Sequence, residues 1–134
     1  DVQGSGEQAG MLLDFGFLKE EMMALIDGPC DHGLILDVAD AEMLTLFAPA
    51  GRDSLAWLEA LAVAVRAEGY ATATEARLGQ KLYVVPFPPT AECLARHWFG
   101  RMAPAVLRRS HGMAELDRVT VWETPNCYAE FRLG

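Results

Sequence analysis

The sequence predicts an α+β fold with an antiparallel sheet, formed by a single domain across residues 1–134. Three observations carry this prediction. Apolar residues recur at helical spacing in some segments, β-branched and aromatic residues form short runs in others, and turns containing glycine or proline separate the two kinds of segment. A chain of 134 residues with 51% hydrophobic residues is also large and apolar enough to bury the core of one domain.

The sequence of the N-terminal quarter predicts the end of a strand followed by a helix. Residues 11–15 form a short apolar run typical of a strand, and residues 17–26 carry apolar side chains at helical spacing. The predicted inward face of this helix consists of Leu18, Met22, Leu25 and Ile26. Gly28 and Pro29 are predicted to end it, since glycine favours the C-terminal cap and proline cannot continue a helix. Residues 30–36 are predicted to form a connector.

The middle of the chain predicts a helical segment, a longer helix and a hairpin. Residues 40–47 fit one or two helical turns, and the longer helix begins after its N-cap Asp53 and runs to about Glu68. Its predicted inward side chains are Leu55, Leu58, Leu61, Ala62 and Val65. Residues 70–76 and 82–86 then predict two strands joined by a tight turn.

The last third predicts one more helix and two final strands. Thr90 suits the N-cap of this helix, because its hydroxyl can accept a hydrogen bond from the first turn. The core face of the helix is predicted to consist of Leu94, Trp98 and Met102. Residues 110–112 predict a turn, while the rest of 103–116 follows no clear pattern. Residues 119–124 and 128–133 predict the two strands.

The acidic balance of the chain argues against a nucleic-acid partner. Its net charge of −8 repels polyanions, and its basic residues are scattered. The apolar runs are short and interrupted by charges, so the sequence predicts neither a transmembrane helix nor a signal peptide. Three cysteines without Cys-x-x-Cys spacing fit a reducing compartment. We therefore expect a cytoplasmic protein with no membrane and no nucleic-acid partner.

Asp31 and His32 are candidates for proton transfer. Histidine titrates nearest to neutrality, and a carboxylate beside it can hold its ring in one tautomer and stabilise its cation. Adjacent side chains face each other only on a turned backbone, which Pro29 and Gly33 on either side can provide. The alternative is an ordinary solvated dipeptide in a loop, which composition alone favours.

Glu123 is a candidate binding residue, because it follows Trp122 at the end of a β-run. Its carboxylate can accept two parallel N–H bonds from a planar heterocycle with an amino-pyrimidinone edge, such as a pterin or a guanine. The alternative is a solvated glutamate at a strand end. Thr90 and Glu92 fit the capping of a helix, and the same N-terminus also offers backbone N–H groups to a ligand.

The sequence contains no metal-binding motif, and we predict no metal ligands in it. Its histidines are His32, His97 and His111, and none of them has His-x-His or His-Glu-x-x-His spacing. His97 lies on the same predicted helix as Trp98 and is interpreted as a partly buried packing residue.

Four phrases of the sequence carry a family resemblance. They are GMLLDFGFLK at residues 10–19, CDH at 30–32, PPTAEC at 88–93 and VTVWET at 119–124. Each phrase is weak alone, but their common order is fairly specific. Together they resemble the 6-pyruvoyltetrahydropterin synthase and 6-carboxytetrahydropterin synthase family.

The resemblance implies a fold and an assembly. The family has a tunnelling fold, an antiparallel sheet with helices on one face in the order ββααββ. Its subunits form trimers, and two trimers stack into a hexamer with active sites between subunits. We therefore expect a homo-oligomer, either a trimer or a hexamer.

The resemblance also implies an activity and a site. Family members act on 7,8-dihydroneopterin triphosphate and eliminate triphosphate, giving a 6-pyruvoyl or, in queuosine biosynthesis, a 6-carboxy pterin. By resemblance, Asp31 and His32 are the catalytic proton relay and Glu123 anchors the pterin. Thr90 and Ala91 are part of the rim that binds the substrate.

The same resemblance implies a zinc ion. This sequence, however, lacks the segment in which the family carries its zinc histidines. The family's first strand, its catalytic cysteine and its zinc histidines all precede the first phrase, and only nine residues precede it here. Cys30 replaces a leucine, and Pro88 and Cys93 replace asparagines. The N-terminal strands and the zinc ligands are therefore expected to be missing from an incomplete domain. The alternatives are a non-catalytic relative that binds a pterin- or purine-like ligand, and an unrelated α+β scaffold.

Overall fold

A computed structural model describes residues 2–4, 16–30, 33–124 and 126–133; at residues 2–4, 16, 123 and 124 it describes the backbone only. The helices are α1 (Gly16–Met22), α2 (Gly28–Cys30), α3 (Ala41–Leu46), α4 (Ser54–Glu68) and α5 (Ala91–Arg109). The strands are β1 (Val2–Gly4), β2 (Leu34–Asp37), β3 (Ala71–Ala73), β4 (Leu82–Val85), β5 (Ala114–Leu116), β6 (Val119–Thr124) and β7 (Cys127–Phe131). The predicted α+β class is confirmed.

The described residues form two compact units. The middle unit comprises Gly28–Pro89, and the terminal unit comprises the described residues up to Asp27 together with those from Thr90 onward. That the chain forms a single domain stays a prediction. Within the described residues, no helix combines the length and the apolar character needed to cross a bilayer.

The middle unit is built around a buried central strand. Its three strands have the order β2-β4-β3, and all four side chains of β4 are fully buried. Strand β3 runs antiparallel to β4, as expected for the predicted hairpin, whereas β2 runs parallel to β4. The predicted connector at residues 30–36 is therefore wrong in part, since its second half enters β2. A parallel pair needs a long crossover, which the chain from α3 to β3 provides.

Helix α4 begins and ends where the sequence predicts. The Asp53 carboxylate accepts a hydrogen bond from the Leu55 N–H at 2.9 Å, and Gly69 adopts the left-handed conformation at the C-cap. Its buried side chains are Trp57, Leu61 and Val65. The predicted inward position of Leu55 is wrong, because this side chain is 77% exposed. It lies about 200° around the helix from Trp57, which occupies the inward face instead.

Helix α5 organises the terminal unit. It packs against α1, β5, β6 and β7, and its predicted core residues Leu94, Trp98 and Met102 are all buried. The helix continues through Pro104 to Arg109, and a turn then leads into β5. Ser110 closes this turn from a buried position, where its hydroxyl accepts a hydrogen bond from the Ala114 N–H at 3.0 Å. The segment 103–116, which had no clear pattern, thus contains the end of α5, a turn and strand β5.

The predicted helix at residues 17–26 is present with two corrections. Helix α1 passes into a π-helical segment, Met23–Asp27, and Met22 is exposed instead of facing inward. The helix also does not end at Gly28 and Pro29, since both lie in the helical turn α2. Proline fits the first turn of a helix, where its missing N–H has no partner to lose. The strand end predicted at residues 11–15 lies outside the described residues.

Candidate functional site

The backbone of Glu123 lies at an irregularity of the β6–β7 hairpin. Trp122 is opposite Tyr128, and Thr124 is opposite Cys127, so Glu123 is an extra residue on β6. Such a bulge breaks the alternation of side chains along a strand and is frequent beside functional sites. The sequence predicted the strand and its end at residue 124, but the bulge depends on the partner strand and has no local signal.

An exposed aromatic pair adjoins this bulge. The rings of Trp122 and Tyr128 lie with their centroids 4.5 Å apart and their planes tilted by 36°. The two residues remain 58% and 54% exposed, which is unusual for large aromatic side chains. Sequence reasoning missed Tyr128, although its place opposite Trp122 in a predicted hairpin is the signal that could have identified it.

Thr90 and Ala91 begin helix α5. The Thr90 hydroxyl accepts a hydrogen bond from the Cys93 N–H at 3.2 Å, so the predicted cap is confirmed. Thr90 is exposed, whereas Ala91 is buried against the core. A ligand at this helix start would therefore meet the Thr90 side chain and backbone N–H groups of the first turn, and not the methyl group of Ala91.

Asp31 and His32 lie outside the described residues, but the residues on either side are described. The Gly33 N–H donates to the Cys30 carbonyl at 2.8 Å. Strand β2 starts directly afterwards. Strand β2 pairs with the buried strand β4.

The predicted site residues are divided between the two units. Thr90, Ala91 and Glu123 belong to the terminal unit, where α5 packs against β6. The Asp31–His32 segment belongs to the middle unit.

His97 has the character of a packing residue, as the sequence predicted. Its ring makes an edge contact with Trp98, with the centroids 4.8 Å apart. Burial, assisted by the positive charge of Arg101, lowers the pKa of His97 from 6.5 to about 4. His97 is therefore neutral at pH 7.

The described residues do not fit the zinc site that the resemblance implies. Among them, no three histidine, cysteine, aspartate or glutamate side chains lie close enough together to hold a metal ion. The cysteines Cys30, Cys93 and Cys127 are not joined in disulfides.

The middle unit also contains an open cavity of about 380 Å³ between α4 and β3. It is lined partly by Trp57, Leu61 and Tyr70, and the Arg52–Glu75 ion pair of 3.2 Å lies at its side.

Comparison with known proteins assigns the family. The chain is 26% identical over 124 residues to a 6-carboxy-5,6,7,8-tetrahydropterin synthase of Rickettsia bellii, covering 92% of this chain and 69% of that protein. The protein of the same name from Rickettsia felis is 28% identical over the same shares of both chains. That from Haemophilus influenzae is 26% identical over 98% of this chain and 72% of the relative. No solved structure gives a significant match.

The family match extends over nearly the whole sequence. Residues 1–133 match the protein family described as 6-pyruvoyl tetrahydropterin synthase. The resemblance inferred from the four phrases is thereby confirmed, and the α+β elements agree with the tunnelling fold that it implied. The chain belongs to the 6-pyruvoyl tetrahydropterin synthase family.

Proposed function

We propose that this protein is a pterin synthase-like lyase that converts 7,8-dihydroneopterin triphosphate and water to a 6-carboxytetrahydropterin, triphosphate and acetaldehyde, the two-carbon remainder of the side chain. The observation that carries the proposal is the family match across residues 1–133. The carboxy product is favoured over the pyruvoyl product because the similar proteins from Rickettsia and Haemophilus are named 6-carboxy-5,6,7,8-tetrahydropterin synthases.

We assign the pterin anchor to Glu123. A glutamate carboxylate can accept two charge-assisted hydrogen bonds from the amino-pyrimidinone edge of a pterin. Two features of the described structure support this assignment. The Glu123 backbone is at a bulge, and the exposed rings of Trp122 and Tyr128 beside it offer apolar faces to a planar heterocycle. Thr90 and the first turn of α5 are proposed to form part of the substrate rim.

We assign proton transfer to Asp31 and His32. Elimination of triphosphate removes a proton from a side-chain carbon and breaks a neighbouring C–O bond, whose electron pair leaves with the triphosphate. A histidine with a pKa near neutrality suits the base that takes this proton, and an adjacent carboxylate suits the stabilisation of the resulting imidazolium. No step of this proposal depends on a metal ion, because the described residues do not supply a zinc site.

We propose further that the protein works as a homo-oligomer in the cytoplasm. In the described residues, β6 and β7 form a sheet of only two strands. A two-stranded sheet is marginally stable alone and has unpaired edges, which a neighbouring subunit can complete. A reducing compartment agrees with three cysteines that form no disulfide among the described residues.

The proposed activity is tested by incubating the protein with 7,8-dihydroneopterin triphosphate and following the substrate by chromatography with fluorescence detection. We expect enzyme-dependent loss of substrate together with release of inorganic triphosphate. The matched control is the same protein after heat denaturation. If calorimetry detects binding of a pterin but the substrate is not consumed, the proposed lyase activity is wrong. The protein is then a non-catalytic pterin-binding protein.

A further inference from the structure

The cavity of the middle unit is a groove that follows helix α4. The residues of α4 that line it recur at helical spacing, and they are Trp57, Ala60, Leu61, Ala64 and Glu68. From Trp57 to Glu68 this stripe spans about 16 Å at about 1.5 Å per residue, which is the length of about five residues of an extended strand. The groove is therefore long enough for a short extended chain.

The other wall of the groove is the outer edge of strand β3. In the order β2-β4-β3, this strand lies at the end of the sheet, so among the described strands it pairs on one side only. Ala71 and Thr72 point to opposite faces of β3, yet both line the groove, whereas no residue of the fully described strand β4 does. The groove therefore runs along the edge of β3, where an edge strand presents unpaired backbone groups.

The groove is apolar along its middle and charged at its ends. At one end, the Glu75 carboxylate accepts hydrogen bonds from Arg52 at 3.2 Å and from the indole N–H of Trp57 at 3.4 Å. The charge of Glu75 is thus balanced by Arg52. At the other end, Glu68 is exposed, and within the described part of the chain it belongs to no ion pair. The groove therefore has one uncompensated negative charge, at the end where β3 begins.

We propose that this groove binds an extended peptide segment of a partner protein, which adds to the edge of β3 as a further strand. An exposed sheet edge supplies main-chain hydrogen bonds to such a segment, and an adjoining apolar wall takes its alternate side chains. Antiparallel pairing is slightly more stable than parallel pairing, and an antiparallel segment ends beside Glu68. The segment that fits is therefore one of apolar, β-forming residues followed by a lysine or an arginine. This binding does not depend on the pterin chemistry proposed above.

A short synthetic peptide tests this docking mode on the full chain. The probe is an acetylated and amidated peptide of five residues, in which valine and threonine alternate before a final lysine. We expect saturable NMR shifts of the backbone amides of β3, with a dissociation constant below about 1 mM. Amide hydrogen exchange in β3 should become slower at saturation, because the added strand forms hydrogen bonds along this edge.

Two control peptides separate the main-chain contribution from the charge. The first ends in glutamate instead of lysine, and it should bind about five- to tenfold more weakly because Glu68 repels it. The second has a methyl group on every backbone nitrogen. It cannot donate hydrogen bonds to β3, so it should give no saturable shift.

Two pairs of protein variants locate the peptide. Ala60 and Ala67 are both exposed on α4, but only Ala60 lines the groove. Ala60→Leu should therefore weaken binding by at least about tenfold by filling the groove, whereas Ala67→Leu should bind normally. Glu68→Gln should remove the preference for lysine over glutamate. Glu59→Gln should keep that preference, because Glu59 lies outside the groove and pairs with Arg66 at 3.6 Å.

Four results would overturn this assignment. The groove takes no added strand if the lysine peptide gives no saturable shift in β3, or if the methylated peptide binds equally well. Equal binding of the lysine and glutamate peptides would rule out a basic partner segment. If Ala60→Leu binds as tightly as Ala67→Leu, the peptide lies elsewhere. If β3 amides exchange more slowly at higher protein concentration without peptide, a second copy of this chain covers the edge instead.

Discussion

At the scale of single residues, Glu123 connects the sequence to the proposed chemistry. Its strand and the end of that strand at Thr124 were predictable from local sequence. Its role as the pterin anchor stays a prediction. The bulge and the aromatic pair of Trp122 and Tyr128 were not, because they depend on how β6 aligns with β7. Local patterns therefore identify the candidate residue, whereas its surroundings come from pairing.

Glu123→Gln should weaken the binding of a pterin such as biopterin by at least about tenfold. The change keeps the size of the side chain but removes its charge and one acceptor, and each charge-assisted hydrogen bond contributes roughly 1.5–3 kcal/mol. Isothermal titration calorimetry measures the affinity. The control is Glu130→Gln, an exposed glutamate on the opposite strand β7, which should bind like the unmodified protein. If the unmodified protein, Glu123→Gln and Glu130→Gln bind the pterin with equal affinity, Glu123 does not anchor it.

His97 should make the free energy of unfolding depend on pH. Its pKa is about 4 in the folded protein and near 6.5 when unfolded, so below pH 6.5 the unfolded state binds more protons than the folded state. The protein should therefore lose stability as the pH falls from 6.5 to about 4, and part of this loss should be absent in His97→Gln. Urea unfolding of the unmodified protein and of His97→Gln at pH 7 and pH 5 measures this loss of unfolding free energy.

The control for this pH effect is His111→Gln, since His111 is exposed in the turn after α5. It should keep the pH dependence of the unmodified protein. If His97→Gln and His111→Gln lose stability equally on acidification, the burial of His97 is not the cause.

At the scale of secondary-structure elements, most predicted helix caps were correct, whereas the pairing of β2 with β4 was missed. The caps Asp53, Gly69 and Thr90 lie where the sequence placed them, because each acts on backbone groups within its own helix turn. Strand β2 was taken for a connector, since its parallel partner β4 is far along the chain. The orientation of α4 was misjudged at Leu55, because Trp57 fills the inward face. The positions of Asp31 and His32 lie outside the described residues and stay predictions.

One ion-pair cluster fastens α1 to the end of α5. The Arg109 guanidinium donates to Glu20 and to Glu21, each at 2.6 Å, and lies over the ring of Phe17 at 5.5 Å. Hydrogen bonds to the two carboxylates raise the pKa of Arg109. Arg109→Met should lower the melting temperature, and the decrease should shrink at high salt because the pair with Glu20 is exposed to solvent.

The matched control for Arg109 is the residue before it. Arg108 is also in the last turn of α5 and is exposed, so Arg108→Met removes the same charge near the same helix end. Thermal unfolding at low and high salt should separate the two variants. If the melting temperature falls equally in Arg109→Met and Arg108→Met, the effect comes from the helix terminus and not from the contact with α1.

At the scale of the whole molecule, the proposed assembly is supported by the unpaired edges of small sheets. The described strands of the terminal unit form two sheets of two strands each, β1–β5 and β6–β7. Their edges present unpaired backbone groups. We therefore expect a trimer or a hexamer when the protein is measured by light scattering across a dilution series. A monodisperse monomer at every concentration would contradict the proposed assembly.

The central claim is that this member of the 6-pyruvoyl tetrahydropterin synthase family converts 7,8-dihydroneopterin triphosphate with His32 as a proton-transfer group. Its most direct test is mass spectrometry of the products formed by the unmodified protein and by His32→Ala. We expect a 6-carboxytetrahydropterin, triphosphate and acetaldehyde from the unmodified protein. We also expect a turnover about 10²–10⁴-fold lower in His32→Ala, whose pterin affinity is unchanged. No product from the unmodified protein, or equal amounts from both proteins, would contradict the central claim.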